Sequence, residues 1–189
     1  AIDEGHEIAC HGVDHWNPKF DDPKVSKDII ESLYNVKIKG YRQPRMFSVS
    51  DTLIKDSGYI YNSSLNPAFI PGKYMHLRDN RTMFINNGVL QIPASVTPHL
   101  RIPLFWLSMH NFPQNTYEML AYKVYKHDGY FTTYFHPWEF VEHPQNMKNY
   151  LLPIVNNNIG NSMCSKLEHL INYFKIKNCG FSTYSDFIL

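Results

Sequence analysis

Apolar residues recur at helical spacing in several segments of the chain. In FDDPKVSKDIIESLYN, Val25, Ile29 and Leu33 stand four residues apart, and a proline occupies the expected first turn. Residues four apart share one face of a helix, and proline suits the first helical position because its missing N–H would be unpaired there. The pattern therefore predicts a helix over about 23–34, capped by Asp22.

Three further segments carry helix signals of the same kind. Ser50 is a favoured N-cap for a short helix that ends at Gly58. In NTYEMLAYKVYKHDG, Asn115 and Glu118 have the spacing of a capping box, and Gly129 marks the helix end. The segment SMCSKLEHLINYFKIKNCG predicts a last helix with one apolar face. That face consists of Met163, Leu167, Leu170, Ile171 and Phe174.

Between these helices lie short segments rich in β-branched and aromatic residues. EIAC, VKIKGY, YIYNSSL, GVLQIPASV, YFTTYFHPW and the closing FSTYSDF have the composition or alternation of strands. Strands separated by helices are typical of parallel βαβ units. The sequence therefore predicts an α/β fold, with its functional site on the loops that follow the carboxyl ends of the strands.

Composition narrows the class of protein only slightly. A chain of 189 residues suits one domain with its own core, so we predict a single domain over residues 1–189. The formal net charge of +1 favours neither nucleic acid nor an anionic membrane, and no apolar run is long enough to predict a membrane span. Three cysteines without paired spacing favour a reducing compartment, such as the cytoplasm or the cytoplasmic face of a membrane, with the periplasm left open.

Histidine and arginine residues stand directly after three predicted strands. His11 follows EIAC, Arg42 follows VKIKGY and His136 follows YFTTYF. Because the carboxyl ends of parallel strands lie at one edge, we expect these side chains to converge. A helical turn after His11 would place His15 on the same face, where two imidazoles suit zinc or a similar divalent ion. Catalytic zinc usually has three protein ligands, so a further one, expected to be a carboxylate, is needed.

Each of these residues also has an ordinary structural explanation. A His-x-x-x-His pair can be two unrelated surface histidines, and His6 can be packed or solvated. Asp14 can accept a ring N–H from one member of the pair. Arg42 can be a surface side chain, and His136 can lie hydrogen-bonded within a buried aromatic cluster. Spacing alone does not distinguish these structural explanations from a functional role.

Four segments together carry a family resemblance. GHEIACHGVDH, GYRQPRMFS, GYIYNSSL and YFTTYFHPWEF, in this order, resemble the polysaccharide deacetylase family, carbohydrate esterase family four, in particular its branch associated with bacterial envelope and exopolysaccharide clusters. The resemblance extends from Ile2 through GFSTYSDF. It implies a distorted (β/α) barrel with a divalent metal, usually zinc, held by one Asp and two His. It also implies that His11 and His15 are metal ligands, Arg42 steadies the catalytic carboxylate and His136 is the general acid.

The sequence departs from the family pattern at three places. The family's Asp-Asp motif, which supplies the catalytic base and the third metal ligand, lies upstream of the histidine pair, so the chain is expected to lack the first strand or strands of the barrel. An exposed strand edge would then favour homo-oligomers. Gly12 stands where Ser or Thr is common, and Asn62 stands where Asp is frequent.

The resemblance implies a metal-dependent hydrolase that removes N-acetyl groups from amino sugars of an envelope, capsule or exopolysaccharide glycan, or of its precursor. The 189 residues alone are expected to have little activity. Tyr41, Pro44 and Trp138 are expected to contact the glycan. Two alternatives remain: a non-catalytic carbohydrate-binding or scaffold relative, or inactive fragment, and an amidohydrolase of the same fold that acts on small cyclic amides.

Overall fold

Helices alternate with short strands through the protein, whose computed structural model describes residues 1–70, 74–144 and 152–188. The described helices are α1 (Asp22–Tyr34), α2 (Asp51–Asp56), α3 (Trp106–Asn111), α4 (Gln114–Asp128), α5 (Pro153–Asn156), α6 (Asn161–Ile176) and α7 (Tyr184–Phe187). The described strands are β1 (Gly40–Tyr41), β2 (Tyr61–Asn62), β3 (Phe69–Ile70), β4 (Tyr74–Met75), β5 (Phe84–Asn86) and β6 (Val89–Gln91). Short 3₁₀ turns cover Ile2–Glu4, Pro44–Met46 and Pro137–Phe140.

The chain divides into two compact units of mixed α/β structure. The first consists of Ala1–Asn66, Asn80–Pro93 and Phe181–Leu189, and the second of Pro67–Asp79 and Ala94–Gly180. The mixed α/β class predicted from the sequence is confirmed. Among the described helices, none combines the length and apolar character needed to cross a membrane.

A small mixed sheet organises the first unit, in the order β1-β2-β6-β5. The pairs β1–β2 and β2–β6 are parallel, as the sequence predicts, and Cys10 adds an isolated parallel bridge to Tyr41. The pair β5–β6 is an antiparallel hairpin. Its turn is Asn87-Gly88, with φ of 49° and 79°. A two-residue type I′ turn between strands requires positive φ at both of its central residues.

Helix α1 has the predicted extent but buries a different face. Val25, Ile29 and Leu33 are 37%, 44% and 69% exposed. The buried residues of the helix are instead Asp22, Pro23 and Ser26. The buried hydroxyl of Tyr59 donates to the Pro23 carbonyl at 2.7 Å. The core of the unit is formed by Cys10, Ile38, Tyr41, Ile54, Tyr59 and Val89.

Helices α4 and α6 supply much of the core of the second unit. The apolar face predicted for α6 is confirmed, since Met163, Leu170 and Phe174 are buried. They pack with side chains of α4 and its surroundings, which are Leu104, Met109, Tyr117, Ala121 and Val124. Helix α4 ends as predicted at Gly129, whose φ of 81° is the left-handed conformation that glycine adopts without steric cost.

Several predicted boundaries and strands are wrong. Helix α1 has Asp21 as its N-cap, while the carboxylate of Asp22 accepts the Lys19 N–H at 2.9 Å. Helix α4 begins after Pro113, so the Asn115 capping box does not form among the described contacts. The segment YFTTYF is backbone outside the sheets of the described residues, and FSTYSDF contains the helical turn α7 in place of a strand. In both segments a residue composition typical of strands was overridden by tertiary context.

Candidate functional site

The first unit holds His11, His15 and Arg42, and the second holds His136 and Trp138. Parallel pairing explains why His11 and Arg42 lie together. The Arg42 N–H donates to the Cys10 carbonyl at 2.9 Å, which aligns the two residues that follow these strand ends. His11 Nδ1 lies 2.8 Å from the Arg42 carbonyl oxygen. That oxygen can only accept, so Nδ1 carries a proton, and in the neutral ring Nε2 is then the nitrogen with the lone pair.

His15 lies beside His11, although the local structure differs from the prediction. The two ring centroids are 5.4 Å apart, and both side chains are exposed. The residues between them form bends in place of a helical turn. Asp14 fixes this shape by accepting the N–H groups of Trp16 at 2.8 Å and Asn17 at 3.1 Å, and these bonds hold its pKa below the ordinary value. In these contacts Asp14 binds backbone N–H groups and so fixes the shape of the loop that carries His15. This role differs from the one considered from the sequence, in which Asp14 accepts an N–H from a histidine ring.

Gly12 permits the close packing of the two predicted motifs. Its φ is +73°, and a Cβ there would lie 2.9 Å from Pro44 Cγ. A serine or threonine at this position would be strained and crowded. Pro44 is buried, and so is Tyr41, whose hydroxyl donates to Gln43 Oε1 at 2.6 Å. Contrary to the sequence expectation, Tyr41 and Pro44 pack inside the protein and offer little surface to a glycan.

The guanidinium of Arg42 is anchored to the end of β2. Nε donates to the Ser63 carbonyl at 2.9 Å and Nη2 donates to Ser63 Oγ at 2.8 Å. Ser63 Oγ in turn donates to the Ile92 carbonyl at 2.7 Å, just after β6. The arginine is therefore held across the carboxyl ends of the sheet, and Ser63 is a site residue that sequence reasoning missed. Its position near the carboxyl end of the predicted strand YIYNSSL was the available signal.

Asn62 belongs to a neutral amide network beside this anchor. Its Nδ2 donates to Gln91 Oε1 at 3.1 Å, and its Oδ1 accepts from Ser64 Oγ. Gln91 Nε2 donates onward to Asp51 Oδ1 at 2.8 Å. The amide supplies both a donor and an acceptor here, whereas an ionised carboxylate would only accept. The presence of an asparagine at position 62 therefore has a local explanation.

A buried carboxylate orients His136 in the second unit. Glu139 lies in the 3₁₀ turn that follows, and its Oε1 accepts both the backbone N–H of His136 and the ring Nδ1–H, each at 2.7 Å. Glu139 is fully buried, while the His136 side chain is 34% exposed. Donation from Nδ1 fixes the tautomer of the neutral ring, in which Nε2 carries the lone pair.

Aromatic rings enclose His136. Trp138 stacks on it at a centroid distance of 5.8 Å and an interplanar angle of 20°. Trp106 meets both rings edge-on at 5.5 Å, and Tyr134 lies 6.0 Å from His136. Trp138 keeps part of its surface exposed. Trp106 was not predicted as a site residue, since nothing in its local sequence pattern distinguishes it from a core residue.

The pKa of Glu139 lies below the ordinary value for a glutamate, although the side chain is buried. Burial alone opposes ionisation, but hydrogen bonds from His110 and His136 outweigh it and hold the pKa below the ordinary value. His110, on α3, is also fully buried, with Nε2 3.2 Å from Glu139 Oε2. Neither residue was singled out from the sequence, although the i, i+3 spacing of His136 and Glu139 is the spacing of a capping pair.

Within the described ranges, His, Cys, Asp and Glu side chains do not come together in a group of three or more suited to a metal ion. His11 and His15 therefore stand as a pair, one side chain short of such a group. No model of a protein family matches the chain, and no curated protein matches it.

Proposed function

We propose that this chain carries the metal-binding and acid residues of a hydrolase that removes N-acetyl groups from amino sugars of a bacterial envelope, capsule or exopolysaccharide glycan, or of its precursor. The observation that carries the proposal is the 2.8 Å contact between His11 Nδ1 and the Arg42 carbonyl, beside His15. Metal-binding histidines characteristically donate their second N–H to a carbonyl or carboxylate, which fixes the ring and its tautomer. Two unrelated surface histidines have no need of such an anchor.

The donor chemistry of the pair fits zinc. His11 and His15 would hold the ion, since imidazole nitrogens suit zinc and both rings lie on an exposed loop. When bound, the ion would polarise the amide carbonyl and lower the pKa of a water molecule towards about 7, far below that of bulk water. The proposal also requires a carboxylate as third ligand and base.

His136 is the proposed general acid. Because Nδ1–H donates a hydrogen bond to Glu139, Nε2 is the nitrogen that would protonate the departing amine. Arg42, fixed by Ser63, is proposed to steady the catalytic carboxylate. Trp138 is proposed to stack on a sugar with the part of its ring that remains exposed.

The same proposal includes a distorted (β/α) barrel as the fold. It is supported by the parallel pairing of successive segments, Cys10 with β1 and β1 with β2, and by the polar residues at their carboxyl ends. Barrels of this class carry their active sites at that end of the strands.

Separate metal and acid roles can be tested in the protein that contains this chain. His11→Ala and His15→Ala should each abolish stoichiometric zinc binding and acetate release from an N-acetylglucosamine oligomer. His136→Ala should keep its zinc but lose turnover by roughly 10²- to 10⁴-fold, the usual contribution of a general acid. Equilibrium zinc titration and a chelator-sensitive acetate assay measure the two properties.

His169→Ala is the matched control, because His169 lies exposed on α6. It should change neither zinc binding nor turnover. Unchanged zinc content in His11→Ala would contradict the ligand role, and loss of zinc in His136→Ala would contradict the acid role.

A further inference from the structure

His110 and Glu139 form a fully buried pair behind the proposed acid. Both side chains are 0% exposed, and His110 Nε2 lies 3.2 Å from Glu139 Oε2. The other oxygen of the carboxylate, Oε1, is the one that accepts from His136. His110 Nδ1 faces the carbonyl oxygen of Asn157, and the His110 carbonyl accepts from Asn158 Nδ2 at 2.6 Å. Helix α3 is thus tied at this residue through both its side chain and its backbone.

The hydrogen-bond partners of His110 require two protons on or next to its ring. The Asn157 carbonyl can only accept, so Nδ1 must carry a proton. Nε2 faces a carboxylate oxygen, and that contact also needs a proton, either on Nε2 or on Glu139. Glu139 Oε1 already accepts the backbone N–H and the ring Nδ1–H of His136, each at 2.7 Å, and hydrogen bonds to a carboxylate favour its ionised form. The second proton therefore belongs on His110, which makes its ring an imidazolium.

We propose that His110 is a positioning residue: as a buried imidazolium it neutralises Glu139 and so sets the charge that His136 experiences. This inference deepens the proposed function, since it rests on His136 as the general acid. A lone carboxylate at 2.7 Å would strongly stabilise the protonated form of His136 and make it a reluctant donor. A cation on the opposite oxygen offsets that field while the carboxylate still orients the ring.

Other titratable side chains around the pair do not supply this compensation. Tyr117 of α4 is fully buried, and burial raises its pKa, so it stays neutral. Tyr134 contacts His136 edge-on at 6.0 Å, and His143 contacts Trp138, with Nε2 3.0 Å from the Trp138 carbonyl. Among the described residues in contact with Glu139, the two histidines are the ones that supply ring N–H donors.

The first test needs no substitution. In the ¹⁵N-labelled protein, long-range ¹H–¹⁵N spectra report whether each ring nitrogen of His110 carries a proton. We expect both nitrogens to be protonated at pH 7 to 8. A His110 ring with one unprotonated nitrogen would place the second proton on Glu139 and overturn the proposal. This measurement decides the question even if variants of the buried pair fail to fold.

The second test follows the titration of His136 by NMR. His110→Gln keeps a donor but loses the cation, so the midpoint of the His136 titration should rise by about one pH unit relative to the parent; Glu139→Gln should lower it by about one unit. His169→Gln, on the exposed surface of α6, is the matched control and should leave the midpoint in place.

A His136 midpoint that moves no further in His110→Gln than in the control would overturn the proposal. The titration needs neither metal nor substrate, so its failure is distinguishable from failure of the proposed function. A protein that shows the expected shifts but releases no acetate would support the ion pair and refute the deacetylase.

Discussion

The absence of a side chain at Gly40 allows a close approach within the parallel sheet. Gly40 is the register partner of Tyr61, and a Cβ at Gly40 would lie 1.9 Å from Tyr61 Cζ and 2.1 Å from its hydroxyl oxygen. The tyrosine is poorly placed to give way, because it is buried and its hydroxyl donates to Glu7 Oε1 at 2.9 Å. Glu7 also accepts the Ser185 N–H at 2.9 Å, so this contact connects β2 to α7.

Gly40→Ala should therefore destabilise the protein by about 1–3 kcal/mol, the usual cost of inserting a methyl group into a packed site. Gly180→Ala is the matched control, because a Cβ at Gly180 would meet no described atom within 4 Å. Urea unfolding of both variants and the parent measures the difference. Equal free energies of unfolding for the two variants would show that Tyr61 yields without cost.

At the scale of elements, packing between α4 and α6 shows how much a helix depends on its partner. Met163 of α6 is fully buried in a cluster with Tyr117, Ala121 and Val124 of α4. The sequence pattern of α6 predicted this face correctly. The pattern of α1 did not predict its face, because Val25 and Leu33 have periodic spacing but lack a covering element in the described structure.

Met163→Ala should cost about 2–5 kcal/mol of stability, since truncation in a packed core loses contacts and leaves a cavity. Met119→Ala on α4 is a control with the same chemistry at a site that is 44% exposed, and it should change stability by less than about 0.5 kcal/mol. Denaturant titration monitored by circular dichroism measures both. Similar losses in the two variants would mean that burial at Met163 contributes little.

At the scale of the whole molecule, the ionisation of Glu139 makes the free energy of unfolding depend on pH. Its pKa in the folded protein lies below the ordinary 4.5, because hydrogen bonds from two histidines outweigh burial. The ionised carboxylate therefore stabilises the folded state above pH 4.5, and this contribution is lost as the pH falls through the lowered folded value. We expect the free energy of unfolding to decrease over that acid range, with a shallower decrease in Glu139→Gln.

Glu168→Gln provides the matched comparison, because Glu168 lies exposed on α6. Its acid limb should follow that of the parent when thermal unfolding is measured between about pH 3 and pH 7. An acid limb in Glu139→Gln that is as steep as the parent's would assign the acid sensitivity to other carboxylates.

The sequence by itself determined the elements whose causes are local. The extent of α1, the end of α4 at Gly129 and the buried face of α6 follow from backbone conformation and from apolar spacing within one segment. The positions of His11 and Arg42 after strands predicted that these residues lie near each other, because parallel pairing aligns the residues that follow each strand, but the contact runs from the His11 ring to the Arg42 backbone carbonyl.

Tertiary structure alone decided the features that depend on distant partners. The segment after Gly180 folds as a helical turn, and Ser185 within it is tied to Glu7. Tyr41 is buried, although its place beside the predicted site suggested exposure. The partnership of His110 with Glu139 spans 29 residues of sequence. Periodicity describes one segment at a time, whereas burial and charge pairing depend on which segments meet in space, and no local pattern encodes that meeting.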